Sequence, residues 1–286
     1  MTPFSPLRYP GGKGVISPFI TQLVEENDIQ CGTYIEPYAG GAGVALSLLL
    51  SEKVSKIVIN DLDRSIYAFW YAVLKHNEEL CEMIKNIDLT SSQWKAQKDI
   101  QGRKGTAGLF ELGFSTFFMN RTNRSGILNA WPIGGIEQSG AYKMDARFYR
   151  NTLISRIQEI GKHADGIEVF NKNAADFLKN DIDRYGTENC LIYMDPPYYR
   201  KGPTLYMNYY KTKDHSELSD IVKGLDHHWV ISYDDAPEIR DLYAGYRMNS
   251  YALKYSAREV KKGREIMYFS HALNLPDISI PTGFKG

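Results

Sequence analysis

The chain has 286 residues, 43% apolar and 24% charged, and its 34 basic and 34 acidic side chains cancel. That length suits two domains, or one domain with a large insertion, and the composition excludes disorder and collagen-like repeats. No apolar run approaches the ~20 residues that span a bilayer, and a neutral total excludes a wholly basic nucleic-acid binder but not a local basic face.

In chain order, the N-terminal MTPFSPLRYPGGKG carries Pro and Gly where a secretory signal needs an apolar stretch, so a cytoplasmic protein is expected. Thr33 to Glu36 is predicted as a strand that runs into a glycine turn, followed by a helix over 43–51. A second strand, Lys56 to Asn60, ends at Asp61 and precedes a helix over 64–76. Glu168 to Phe170 is a weaker strand before a helix over 174–180. Cys190 to Met194 ends at Asp195, a helix follows over 215–224, and Trp229 to Ser232 closes the series. Continuous apolar runs of this length suit parallel strands covered on both faces. Strands alternating with helices predict a doubly wound, Rossmann-like α/β sheet, with the ligand at the strands' carboxyl ends. Glu36, Asp61, Asp195 and Ser232 fall there.

Residues from about 75 to 151 break this rhythm. Between Trp94 and Arg150 nine Lys and Arg stand against four acids, a net charge of +5. That asymmetry predicts an inserted module with an anionic partner. Three scattered cysteines without C-x-x-C, and six histidines without H-x-x-x-H, predict no metal site.

Two motifs carry chemistry. The turn Glu36-Pro37-Tyr38-Ala39-Gly40-Gly41-Ala42-Gly43 follows a strand and opens a helix, as a nucleotide-binding turn does. Asp61 lies 18 residues beyond Gly43, where a carboxylate can accept both hydroxyl protons of a ribose. Leu46 replaces the third glycine of the dinucleotide fingerprint, so the turn alone does not separate NAD from S-adenosylmethionine. The second motif is Asp195-Pro196-Pro197-Tyr198. Two prolines remove backbone donors and stiffen the turn, exposing a carbonyl beside the carboxylate. Two adjacent acceptors suit an exocyclic NH2 group, whose lone pair is otherwise delocalised into its ring. Tyr198 is expected to stack on the face of an extruded base.

With these motifs in this order, the chain resembles the Dam-type, D12-class DNA adenine-N6 methyltransferases over most of its length. The family's W/Y-x-G-G-K element matches Tyr9-Pro10-Gly11-Gly12-Lys13, and its E-P-F-x-G-x-G loop matches the segment from Glu36 to Gly43. Its DNA-entering F-N-R hairpin falls on Phe118 to Ile127. The resemblance implies a catalytic domain of residues 1–74 and 152–286, and an inserted, helical plus β-hairpin recognition domain of residues 75–151. It implies S-adenosylmethionine as cofactor, bound by Tyr9, Lys13, Glu36, Gly40, Gly43, Asp61, Asp176 and Asp195, with Lys13 on the cofactor's carboxylate. Asp176 is equally placed to cap the helix beginning near Phe177. Asp195, Pro196 and Tyr198 would form the catalytic set. Arg121, Arg124 and Asn129 would meet double-stranded DNA. Asn129 replaces the family's guanine-reading Arg, so a target other than G-A-T-C is expected. Arg121 and Arg124 could instead clamp phosphates. A restriction endonuclease partner is a further expectation, and a membrane is not. The competing readings are the same chemistry on RNA, on cytosine N4 or on a protein amide, a silent DNA-binding module, and an NAD-linked oxidoreductase.

Overall fold

The computed structural model describes residues 4–8, 13–200, 210–255 and 261–277. Seven strands form one sheet. They are β1 (Thr33–Glu36), β2 (Lys56–Asn60), β3 (Ile167–Phe170), β4 (Cys190–Met194), β5 (His228–Asp234), β6 (Arg247–Tyr255) and β7 (Lys261–Phe269). Their order is β3-β2-β1-β4-β5-β7-β6, the first five parallel and β7 antiparallel to both its neighbours. The order reverses between β1 and β4, which pair directly, so a crevice opens at their carboxyl ends.

Side-chain alternation on the central strands builds two cores. Tyr34, Ile57, Ile59, Leu191 and Tyr193 face one; Ile35, Val58, Ile192 and Met194 face the other. Helices α1 (Ser17–Glu26), α2 (Gly43–Leu50) and α3 (Arg64–Lys75) cover the first face through Phe19, Leu46 and Phe69. Helices α8 (Ala174–Asn180), α9 (Thr212–Lys223) and α10 (Pro237–Leu242) cover the second through Phe177, Leu218 and Ile239. Burial on both faces explains why the strands read as unbroken apolar runs.

The insertion is helical: α4 (Asn77–Asn86), α5 (Ser91–Gly102) and α6 (Leu109–Thr122), followed by α7 (Arg150–Lys162). The expected hairpin over 118–127 is not formed. Phe118 to Thr122 belong to α6, the chain then makes a short 3-10 turn at Arg124–Gly126, and Asn123 and Pro132 join in a single antiparallel bridge. The physical reason is burial: every α6 residue from Leu112 to Thr122 is buried, with the helix packed on α3 and α5. Phe114, Phe117 and Phe118 share one core with Phe69 and Trp70 of α3.

The α3–α6 contact depends on Gly113. A Cβ there would lie 2.8 Å from the Ala72 Cβ, and closer still to the Ala68 carbonyl oxygen. Gly113→Ala should therefore destabilise the fold by about 1–3 kcal/mol, despite alanine's better helix propensity. Urea unfolding measures this; an unchanged or raised midpoint would refute the close helix contact.

Candidate active site

The carboxyl ends of β1, β2, β4 and β5 converge with the antiparallel β7, whose Glu265 is registered opposite Asp234. Around the first glycine turn, Gly40 and Ala42 both have positive φ, at 47°. Gly40 N–H donates to Asp61 Oδ2 at 2.9 Å and the Gly40 carbonyl accepts from Trp70 Nε1 at 3.0 Å. Asn60 braces the turn from below, donating to Pro37 O at 2.9 Å. A Cβ built on Gly43 meets nothing within 4 Å, so the turn opens onto free space at the N-terminus of α2. Asp61 Oδ1 accepts from Asp63 N at 2.8 Å, and each of its oxygens keeps a further lone pair. Burial pushes its carboxyl up to about 6. A cradle open at a glycine, beside a carboxylate with acceptor capacity, fits an adenosyl cofactor.

Glu36 stands beneath this cradle. It is buried at the end of β1, and its Oε1 accepts from Ala45 N at 3.1 Å. Burial outweighs that hydrogen bond and pushes its carboxyl from 4.5 up to about 8. Glu36 thus belongs to the support of the turn. Asp176 stands exposed in the first turn of α8, and Asn173 caps that helix, its Oδ1 accepting from Ala175 N at 2.9 Å. The capping reading of Asp176 is therefore corrected.

At the end of β4, Asp195 Oδ1 accepts from Ser232 Oγ at 2.7 Å and lies 3.3 Å from Lys13 Nζ. Burial raises the Asp195 carboxyl to about 6; Lys13 and Ser232 oppose the rise and Glu265 adds to it. Lys13 is itself buried and pairs with Glu265 Oε2 at 2.6 Å. Burial alone would lower the Lys13 pKa, but Asp195 and Glu265 outweigh it and the ammonium is held above its ordinary value. Lys13, expected on the cofactor's carboxylate, therefore lies between two carboxylates of the chain.

Tyr198 is also buried. Its hydroxyl donates to Glu265 Oε1 and accepts from Lys13 Nζ, and Lys13 sits 5.0 Å from the ring centre. The expected open stacking face is thus packed inward here, and Tyr198 acts as a tether. Asp234, at the end of β5, accepts from Tyr199 N at 2.8 Å and Arg200 N at 3.0 Å, fixing the exit of the Asp-Pro-Pro-Tyr turn. Sequence reasoning missed Glu265 and Asp234, because neither belongs to a motif. Tyr9 lies outside the described residues.

On the insertion, Arg121 departs from expectation. It is buried, its Nε donates to Pro6 O at 2.7 Å, and burial together with Arg156 and Arg8 lowers it to about 9. A phosphate clamp at Arg121 is thus replaced by a tie to the N-terminal segment. Arg124 and Asn129 are exposed. Buried Asn120 and Asn123 pin the loop that carries them. Asn120 Nδ2 donates to Gly126 O at 2.9 Å, and Asn123 Nδ2 to Leu128 O at 2.8 Å. The same stretch exposes Ile127, Trp131, Tyr142 and Tyr149, an unusual concentration of large apolar side chains in water. Trp131 stacks on Trp94, and Lys98 Nζ lies 4.9 Å from the Trp131 ring centre.

A doubly wound sheet with a cofactor-type glycine turn and an Asp-Pro-Pro-Tyr turn beside it defines an amino methyltransferase. The chain belongs to the D12 class N6 adenine-specific DNA methyltransferase family, whose sequence profile matches residues 9–260. It is similar to the Type II methyltransferase M.MjaIII of Methanocaldococcus jannaschii, with 22% identity over 240 residues, covering 75% of this chain and 76% of that protein. Among solved structures it is similar to the rRNA methyltransferase aviRa of Streptomyces viridochromogenes, with TM-score 0.41 and 8% identity, covering 92% of this chain and 87% of that one. A SAM-dependent methyltransferase of Agrobacterium tumefaciens gives TM-score 0.41 and 10% identity, over 89% of this chain and 60% of that one.

The raised Glu36 carboxyl makes a stability prediction. The unfolded chain releases the Glu36 proton near its ordinary value, whereas the fold retains it up to about 8. Stability from this group is present at low pH and falls as pH rises through that window. Glu36→Gln carries no proton, so its stability relative to wild type should grow from pH 5 to pH 8. Denaturant titrations at both pH values measure this; a constant difference would show that Glu36 ionises normally.

Proposed function

We propose that this family member moves a methyl group from S-adenosylmethionine to the N6 amine of an adenine flipped out of double-stranded DNA. The observation that carries this reading is the Asp195-Pro196 turn, oriented by Ser232 and Asp234 beside the open glycine turn. The bound cofactor supplies an electrophilic methyl on a sulfonium. Gly40 and Gly43 leave room for it, Asp61 supplies acceptors for its ribose, and Asp176 stands ready for its adenine. Asp195 accepts one amine hydrogen and the Pro196 carbonyl the other. The nitrogen then loses conjugation with the ring, its lone pair becomes available to take the methyl as the carbon–sulfur bond breaks, and the proton shed by the methylated amine passes to the Asp195 carboxylate.

Only the ionised form of Asp195 is a pure acceptor, and burial places its titration near 6, within the working range of a cytoplasmic enzyme. Residues 75–151 would form the recognition part. Arg124, Asn129 and Trp131 project from it, and Arg8 and Arg156 lie close enough to Arg121 to help burial lower its pKa. The exposed Arg124 guanidinium suits a phosphate backbone.

Two experiments test the reading. With labelled S-adenosylmethionine and duplex DNA, label should appear on adenine N6, and Asp195→Ala should slow single-turnover transfer by about 10²–10³-fold. Label on RNA, protein or cytosine N4 would overturn the substrate, and a near-wild-type rate would overturn the mechanism. Trp131→Ala should weaken DNA binding by about 1–3 kcal/mol, the worth of one base–aromatic stack. Unchanged affinity in a fluorescence-anisotropy titration would remove this face from the interface.

A further inference from the structure

A second carboxylate, belonging to no motif, lies at the heart of the methyl-transfer centre. Glu265 is fully buried on β7. Among the described residues it accepts from groups on three separate parts of the chain. These are Lys13 Nζ at 2.6 Å, the Tyr198 hydroxyl, and the Tyr251 hydroxyl at 2.6 Å. A buried carboxylate is costly, and one given three donors is built into the fold. Lys13 is shared unequally: it lies 2.6 Å from Glu265 but 3.3 Å from Asp195. A lysine fully paired with Asp195 would draw charge from the carboxylate that must accept the amine hydrogen. Glu265 takes the closer share of that ammonium, and so leaves Asp195 the stronger acceptor.

We propose that Glu265 is a positioning residue for methyl transfer. It holds the Lys13 ammonium away from a full pairing with Asp195, and it tethers Tyr198 behind the acceptor turn. This rests on the reading of Asp195 as amine acceptor. The groups facing Asp195 are Lys13 from the N-terminal turn, Glu265 on β7, Ser232 on β5, Tyr193 on β4, Tyr34 and Glu36 on β1, and Tyr251 on β6. Of these, Glu265 pushes the Asp195 carboxyl up while Lys13 pulls it down. Removing the Glu265 charge releases Lys13 to Asp195, and both changes act in one direction.

The test uses the full chain with Glu265→Gln, which keeps the shape, and Glu265→Asp, which keeps the charge. In the cofactor-free protein, carbon-13 NMR of the Asp195 carboxyl should show its titration move to lower pH in Glu265→Gln and stay nearer the wild-type value in Glu265→Asp. The kcat of Glu265→Gln should fall at least tenfold with little change in KM for DNA, and the acid limb of its rate profile should move the same way. A uniform loss of rate with an unmoved Asp195 titration in Glu265→Gln would reduce Glu265 to a packing role and overturn the proposal. So would Glu265→Asp shifting that titration as far as Glu265→Gln. If Glu265→Gln fails to fold, the Glu265→Asp titration decides alone: an Asp195 value near wild type supports the proposal, and a clear fall to lower pH overturns it. A wild-type chain that labels no DNA would contradict the methylation reading instead, and would leave the titration result standing.

Discussion

The Lys13 ammonium, buried between Asp195 and Glu265, is the interaction on which the site depends. It binds three distant parts of the chain: the N-terminal turn, the end of β4 and the antiparallel β7. Each charge would be expensive to bury alone, and each is tolerated because the others are there. The knot also has a chemical consequence. In the proposed reaction, a carboxylate accepting a weakly basic amine's hydrogen should be ionised near neutral pH yet not quenched by a cation. Desolvation and Glu265 raise Asp195, Ser232 and Lys13 limit the rise, and Lys13 lies closer to Glu265, at 2.6 Å, than to Asp195, at 3.3 Å. The site is thereby tuned by position, with hydrogen bonds from β5 setting the turn's direction.

The rest of the molecule serves this arrangement from two sides. On one side the sheet reverses order between β1 and β4, which opens the crevice for the glycine turn, Asp61 and the Asp195 turn together. On the other, α6 is packed so tightly on α3 that the insertion and the sheet share a core. On the proposed reading, a DNA-facing surface carried on this packed helix end would hold its register relative to the Asp195 turn. Asn120 and Asn123 continue that rigidity into the loop that presents Arg124, Asn129 and Trp131.

Much of this was legible from the residues. The five parallel strands appear as apolar runs ending in polar side chains because both faces of the sheet are covered. The glycine turn and the Asp-Pro-Pro-Tyr turn are local, and their spacing carries their chemistry. What the residues hid is non-local. Glu265 and Asp234 act only because β7 runs antiparallel beside β5, and no pattern in Lys261 to Phe269 announces that pairing. Arg121 reads as a surface cation until α6 is seen buried on all sides. Tyr198 reads as a stacking platform until Lys13 and Glu265 are seen to close over it. The expected hairpin failed for the same reason as Arg121: tertiary burial extended a helix through residues whose local sequence suits a turn.

The role of Asp195 is tested most directly by the pH dependence of single-turnover methyl transfer to a duplex with one target adenine, in the wild-type enzyme. If Asp195 accepts the amine hydrogen, only its ionised form serves, so the rate should be constant above neutrality and fall as pH drops through about 6. A rate independent of pH from 5 to 8, with DNA and cofactor saturating throughout, would contradict it.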